Sequence, residues 1–535
     1  MLNRLEPRHG QTPRDTMREG KPLNKLEISH GHATREMTRA SLRALSGHGD
    51  PGKFGRMFPA LDPLFVADDA LADLAAAMKD PDPASATGDN QTIPAGFTYL
   101  GQFIDHDITL DLTPLDEQEV DPLATQNFRS PGLDLDSLYG PGPALAPYMF
   151  QRDLKGRMVP KFLVGTATES NDQDGNDIPD LPNDLPRTSH GRAVIGDERN
   201  DENLLVAQTH LAFLKFHNAV MDWLATEKPS LGDTERYDEA RRIVTWHYQW
   251  IVLFDFVERL TEPGLVAEIK QQGRRFYRFK TRPYMPVEFA AAAYRLGHSM
   301  VRESYSHNRV FRPGGLADST LGLLFFFTGK SGAIIGDLAS TADAADFPPL
   351  GAQAALPSNW VIDWRRFFDL GTPAGGDFAL NPSRKLDPFL VPALHTLPGE
   401  SDRFAMLPFR NLRRGVILEL PCGQDVAKAM GVAPLAPADV ETGPDGAAAA
   451  AHGLHQKTPL WYYILKEAEV LHGGARLGPV GSTIIAEVFL GLVHGDHDSF
   501  LWRRTNWMPE LPRAQAETFT MVDMLNFVGD INPIG

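Results

Sequence analysis

Thr98-Tyr-Leu-Gly-Gln-Phe-Ile-Asp-His-Asp-Ile-Thr-Leu-Asp111 sets Gln102, Asp105, His106 and Asp107 inside an otherwise apolar run. At the helical repeat, Gln102 and His106 stand at i and i+4 and share one face. Asp105 lies beside that face, and Asp107 points well round from His106. One short helix therefore offers a polar pair to a cavity and carboxylates to two other destinations. Burying so polar a cluster is costly unless each member has a partner, so the stretch reads as a site.

Working outward, the chain has 535 residues with 42% apolar and 23% charged side chains, enough for a large core of ordinary globular composition. The net charge of −17 argues against a nucleic-acid partner, because phosphate would be repelled. Cys422 is the single cysteine, which excludes an intramolecular disulfide framework and any cysteine-based zinc or iron–sulfur cluster. The first residues, Met1-Leu-Asn-Arg-Leu-Glu-Pro-Arg-His9, show no apolar run before a cleavage site. The expectation is a protein without a cleavable signal, cytoplasmic or secreted by a signal-less route. No stretch approaches the roughly 18 apolar residues of a membrane helix, so no membrane span is expected.

Residues 1–50 read as a polar arm and residues 51–535 as one mainly α-helical domain with long loops and little β structure. The spacing predicts helices over 69–78, 204–224, 237–260, 460–471 and 482–493. Pro286 predicts another over 287–303, because proline suits a first helical turn. Arg295 and His298 then stand at i and i+3 on it. Glu169 to Asp177 resembles part of a calcium loop. Ser170 stands at its first ligand position and Leu181 at its twelfth, where an EF-hand needs glutamate, so it reads as a solvated acidic loop. Ser29-His-Gly-His32 and His494-Gly-Asp-His-Asp498 read as surface features rather than metal sites.

Two helix-borne histidines, far apart in sequence, raise the question whether they flank a flat cofactor such as haem. Peroxide chemistry on haem needs a base, a cation beside the departing oxygen, and exclusion of bulk water. His106 suits the first role and Arg199 the second. A histidine ligand needs an acceptor for its other ring N–H, and the amide oxygen of Asn411 suits that. Spacing alone does not establish these pairings.

Five blocks occur in order: Gly101-Gln-Phe-Ile-Asp-His-Asp107; Ser130-Pro-Gly-Leu-Asp-Leu-Asp136; Gly196-Asp-Glu-Arg-Asn-Asp-Glu-Asn203 with His210 and His217-Asn218; Tyr294-Arg-Leu-Gly-His298; and Asn411-Leu-Arg-Arg-Gly415. In this the chain resembles the animal-type haem peroxidases of the peroxidase–cyclooxygenase superfamily, which has bacterial members. The resemblance implies haem b and calcium as cofactors, with hydrogen peroxide and small organic donors, halide or thiocyanate as partners. It implies His106 as distal histidine, Gln102 as its distal neighbour and Arg199 as distal arginine. His298 becomes the proximal iron ligand and Asn411 its hydrogen-bond partner. Arg295 and Arg414 match arginines that pair with haem propionates. Asp105 and Glu202 match carboxylates ester-linked to haem in mammalian members. Asp107, Ser130, Gly132 through its carbonyl, Asp134 and Asp136 match an all-oxygen calcium shell.

Two departures narrow the expected activity. Asn203 stands where one branch carries a methionine bonded to haem, which counts against chloride oxidation. Arg295 stands where cyclooxygenases and fatty-acid dioxygenases carry a radical-forming tyrosine, three positions before the proximal histidine. Tyr294 is one residue further on and is expected to face elsewhere. The second favours a peroxidase over a haem-dependent fatty-acid dioxygenase. The complete set of Gln102, His106, Arg199, His298 and Asn411 argues against the other alternative, a non-catalytic calcium-stabilised binding protein.

Overall fold

The computed structural model describes residues 54–109, 131–280, 282–329, 355–373, 375, 378–397, 400–504 and 506–535. The N-terminal arm and Ser130 lie outside the described residues. Helices of ten or more residues are labelled α1 (Asp68–Ala77), α2 (Gly96–Ile108), α3 (Leu204–Glu227), α4 (Asp233–Ile251), α5 (Leu407–Ile417), α6 (Leu460–His472) and α7 (Pro479–Gly495). Strands are confined to two-stranded ladders among the described residues. The mainly helical class expected from the sequence is the one observed.

The opening stretch is α2, and its start is fixed by crowding. A Cβ on Gly96 would stand 2.4 Å from the Phe368 ring and 2.5 Å from the Phe367 carbonyl oxygen. Only glycine lets that turn come so close, and its N–H donates to that carbonyl at 2.8 Å. Leu100, Phe103 and Ile104 form the fully buried face of α2. Phe103 stacks on Phe213 of α3 at 4.7 Å, and α3 in turn packs along α4.

α4 does not end cleanly. It runs into a π-helical turn, Val252–Val257, and then Glu258–Leu260. Such turns insert a residue and redirect side chains, often at functional sites. Here the turn sets Phe256 against α2, where a Cβ on Gly101 would lie 3.1 Å from the ring.

The helix expected over 287–303 is broken. Only Val287–Ala290 is α-helical, and Ala293–His298 forms a tighter 3-10 turn. The break falls at Ala292, whose backbone (φ −128°, ψ −78°) is not helical. Three residues per turn align i with i+3, so Arg295 and His298 share a face more closely than in an α-helix. α6 packs against this turn, and α5 packs against α6.

The acidic segment after Glu169 is a hairpin, Ser170–Asn171 pairing with Asp177–Ile178. Asp172 Oδ1 accepts the backbone N–H groups of Asp174 and Asn176, so the carboxylate closes the turn.

Candidate active site

α2 and the 3-10 turn face each other across a cavity of about 320 Å³. Gln102, Asp105 and His106 line it from α2, Arg295 and His298 from the turn, and Arg414 from α5. Much of the remaining wall is apolar. Beside His298 the wall is open, since a Cβ on Gly297 would meet nothing within 4 Å.

His106 is buried, and its Nδ1 lies 2.8 Å from Asn200 Oδ1. Asn200 Nδ2 donates in turn to His210 Nδ1 on α3 at 2.9 Å. An amide oxygen only accepts, so His106 carries its ring proton on Nδ1 and leaves Nε2 as the basic atom. Burial and then the Arg199 charge push His106 down to about 4, against smaller upward pulls from Asp105, Asp197 and Asn200. It is a neutral base at neutral pH.

Arg199 departs from the place expected of it, because its guanidinium is not part of the cavity lining. Nε and Nη2 clamp Asp197 at 3.1 and 2.8 Å, and Nη2 also donates to the carbonyls of His106 and Thr109. The C-terminal carbonyls of α2 lack helical partners and attract a cation, which is why the side chain turns there. The turn Glu198–Asp201 sends Arg199 and Asn200 to different destinations. Glu202 does not line the cavity either, whereas Asp105 does and accepts from Thr109 Oγ1 at 3.0 Å.

On the opposite wall Asn411 is turned the other way from expectation. Its Oδ1 accepts from Arg295 Nη1 at 2.7 Å, and its Nδ2 meets His298 Nδ1 at 2.8 Å. The arginine donor claims the oxygen, so the amide nitrogen is left for the histidine. Burial, with the Arg295 charge, pushes His298 down to about 3. Tyr294 lines the cavity as well as Arg295, contrary to the sequence reading, because its hydroxyl reaches across to the Gly101 carbonyl at 3.0 Å.

Behind α2, ligand oxygens of Asp107, Asp134 and Asp136 lie within 4.8 Å of one another. Asp107 is fully buried and accepts from the Leu135 and Ser137 N–H groups and from Ser137 Oγ. Leu135, between the other two aspartates, has φ +56°, a conformation that a branched side chain adopts only under constraint. Tyr248 of α4 faces this cluster, and burial followed by the Asp107 charge pushes its phenol well above the ordinary value. Gly132 is buried at the start of the same loop.

The donor set suits haem. Two neutral imidazoles come from opposing elements, and two guanidiniums, Arg295 and Arg414, share the cavity wall with them, the chemistry that a haem with its carboxylates would need. The sequence reading missed Asn200 and His210 as site residues. Both lie in a block already singled out, but nothing in their spacing says which side chain reaches His106.

Residues 115–314 match the family model described as animal haem peroxidase. A chorion peroxidase of Aedes aegypti is 34% identical over 112 residues, which are 20% of this chain and only 14% of that protein. Peroxidase A from Dictyostelium discoideum shares the fold with a TM-score of 0.57 at 16% identity, over 92% of this chain and 97% of that one. Oryza sativa fatty acid alpha-dioxygenase shares it with a TM-score of 0.55 at 14% identity, over 91% and 80%. The family resemblance read from the five blocks is the one these comparisons find.

Proposed function

We propose that this chain, with its animal haem peroxidase match over residues 115–314, is a haem peroxidase that reduces hydrogen peroxide while oxidising small organic donors, halide or thiocyanate. The observation that carries the reading is that His106 and His298, on separate elements, line one cavity. Haem bound there supplies the redox centre at which peroxide is cleaved and donors are oxidised. His298 is the residue to hold its iron through Nε2, and Arg295 and Arg414 are the residues to pair with its propionates. Asp105, on the cavity wall, is the better placed of the two carboxylates for an ester link, since Glu202 lies off the wall.

His106 takes the peroxide proton at Nε2 and returns it to the departing oxygen. Asn200 holds the tautomer that makes this possible. The Arg199 charge helps to keep the ring neutral, so the base is ready without a prior deprotonation. The apolar wall limits water around the exchanged proton.

Calcium at Asp107, Asp134 and Asp136, with Ser130 and the Gly132 carbonyl, completes the proposal. A carboxylate cluster this close is electrostatically costly without a cation, and a hard cation takes such oxygens. Asp107 adjoins His106, so an ion there would stiffen the end of α2 that carries the base.

The test is to load the full chain with haem, record the Soret band, and measure peroxide-dependent oxidation of a phenolic dye. A Soret band with dye oxidation is expected; a chain that binds no haem sinks the reading and restores that of a calcium-stabilised binding protein. The dioxygenase reading is kept open by Tyr99 and Tyr294, which both line the cavity. It would show instead as oxygen uptake with a fatty acid, lost on changing one of those tyrosines.

A further inference from the structure

We infer that Asn203 is a positioning residue that fixes the amide of Gln102, making Gln102 Nε2 the N–H donor beside His106. The inference rests on the peroxidase reading above and concerns which side chain meets an anion or a developing oxyanion in the cavity.

The orientation follows from one atom to the next. Asn203 is the N-cap of α3, and its Oδ1 accepts the Val206 N–H at 2.9 Å. A cap oxygen is committed in this way because the first N–H groups of a helix have no helical partner. That leaves the amide nitrogen of Asn203, which donates to Gln102 Oε1 at 2.7 Å. The Gln102 oxygen is thereby taken, and Nε2 is the end of the amide left for the cavity. Gln102, Asn203 and His106 all line that cavity. Gln102 and His106 are one helical turn apart on α2, so the donor and the base sit side by side.

The alternative donor is engaged elsewhere. Arg199 clamps Asp197 and two carbonyls at the end of α2 and is not on the cavity wall. An oriented N–H donor where negative charge develops is an effective stabilising device in a site with little water. With the amide reversed, a carbonyl oxygen would face the anion and repel it. The residue at 203 thus sets the polarity of the distal wall through a helix cap.

The test uses the haem-loaded full chain and fluoride, an anion that only accepts hydrogen bonds, titrated through the optical spectrum. Asn203→Ser keeps a good N-cap without reaching Gln102 as a donor. Gln102→Leu removes the donor without adding charge. Gln102→Leu is expected to weaken fluoride binding about tenfold, as for one lost hydrogen bond to an anion, and Asn203→Ser by several-fold with its melting temperature unchanged. The Asn203→Ser effect should vanish in the Gln102→Leu background, which a role confined to folding would not produce. Wild-type fluoride affinity in either single variant, or additive losses in the double variant, overturns the inference. If Asn203→Ser fails to fold, Gln102→Leu still decides whether Gln102 is the donor, and Asn203→Thr, which also caps without adding charge, replaces it as the positioning arm. Failure of the wild-type chain to bind haem instead removes the peroxidase reading.

Discussion

The two walls of the cavity each hold a histidine at Nδ1 by an asparagine amide, but by opposite ends of it. On the α2 wall, Asn200 turns its oxygen to His106. On the opposite wall, Asn411 turns its nitrogen to His298. In each case the direction is set by what occupies the far end of the amide. His210 Nδ1 accepts from Asn200, whereas Arg295 donates to Asn411. The α2 wall therefore already has the tautomer of a base with Nε2 open. On the opposite wall the Asn411 amide nitrogen leaves Nδ1 of His298 as the accepting atom. In the proposed haem site an iron ligand with its proton on Nδ1 would need the Asn411 oxygen instead, and Arg295 would have to release it. A propionate would give that guanidinium another partner.

The comparison breaks first on the histidines themselves. His106→Ala is expected to keep haem and lower the rate of reaction with peroxide by about 10²–10⁴, measured by rapid-mixing absorbance. His298→Ala is expected to lose haem on gel filtration. A His298→Ala protein with a wild-type Soret band would mean that the walls have been assigned the wrong way round.

How much of this was legible in the sequence follows the same division. α2 is a regular helix, so the spacing of Gln102 and His106 predicted a shared face correctly. The helix expected around His298 was wrong, because a run of alanines carries no signal of a break at Ala292. Arg295 and His298 still share a face, since i and i+3 do so even more closely in a 3-10 turn. Tyr294 escaped for that reason too: its place on the wall depends on a turn and on a carbonyl of α2. Arg199 reads from the sequence as the cation beside the departing oxygen, and nothing in its spacing says that it turns to the end of α2 instead of the cavity. It holds the His106 backbone carbonyl and acts on the ring through charge.

Changing the amides sharpens the contrast at a smaller scale. Asn200→Leu is expected to slow the peroxide reaction about 10²-fold by releasing the base from its productive geometry. Asn200→Asp keeps an accepting oxygen and should restore most of the rate. The same substitution opposite, Asn411→Asp, supplies an oxygen at both ends. It should strengthen the pull on the His298 ring proton and make the haem reduction potential more negative, as read by spectroelectrochemistry. Equal effects of Asn411→Asp and Asn200→Asp on rate and potential would dissolve the distinction between the walls.

A third comparison sets the α2 wall against the aspartates behind it. Chelation of the holoprotein, or Asp107→Ala, is expected to lower both the melting temperature and the peroxide rate, the latter about tenfold. Added calcium should rescue the chelated protein and not the variant. Full activity in a variant that has lost calcium would uncouple the ion from His106.

Acid denaturation tests whether neutrality distinguishes the two site histidines at all. His217, His247 and His307 lie away from the cavity, yet burial drives them to about 4, 3 and 4. One ring nitrogen of each meets a backbone carbonyl, of Pro160, Ile243 and Trp360 respectively. Their folded values lie below the ordinary value near 6.5, so between these limits the unfolded chain binds more protons than the folded one. Their stabilising contribution is complete above about pH 6.5 and is lost as the pH falls towards 4. The loss by pH 5 is on the order of 1–2 kcal/mol for each. Burial raises Asp387 to about 7 and Glu467 to about 8, and these carboxyls gain stability over the same window, so the histidine part is read by difference. The fall in melting temperature from pH 7 to 5 should be smaller in His307→Gln than in the wild type, and equal slopes would contradict the neutral burial of that ring. A carbonyl can only accept, so it fixes one tautomer for good. An asparagine amide presents either an acceptor or a donor, according to what holds its other end. The residues behind the amides, His210 on one wall and Arg295 on the other, are thus what gives the His106 ring an accepting partner at Nδ1 and the His298 ring a donating one.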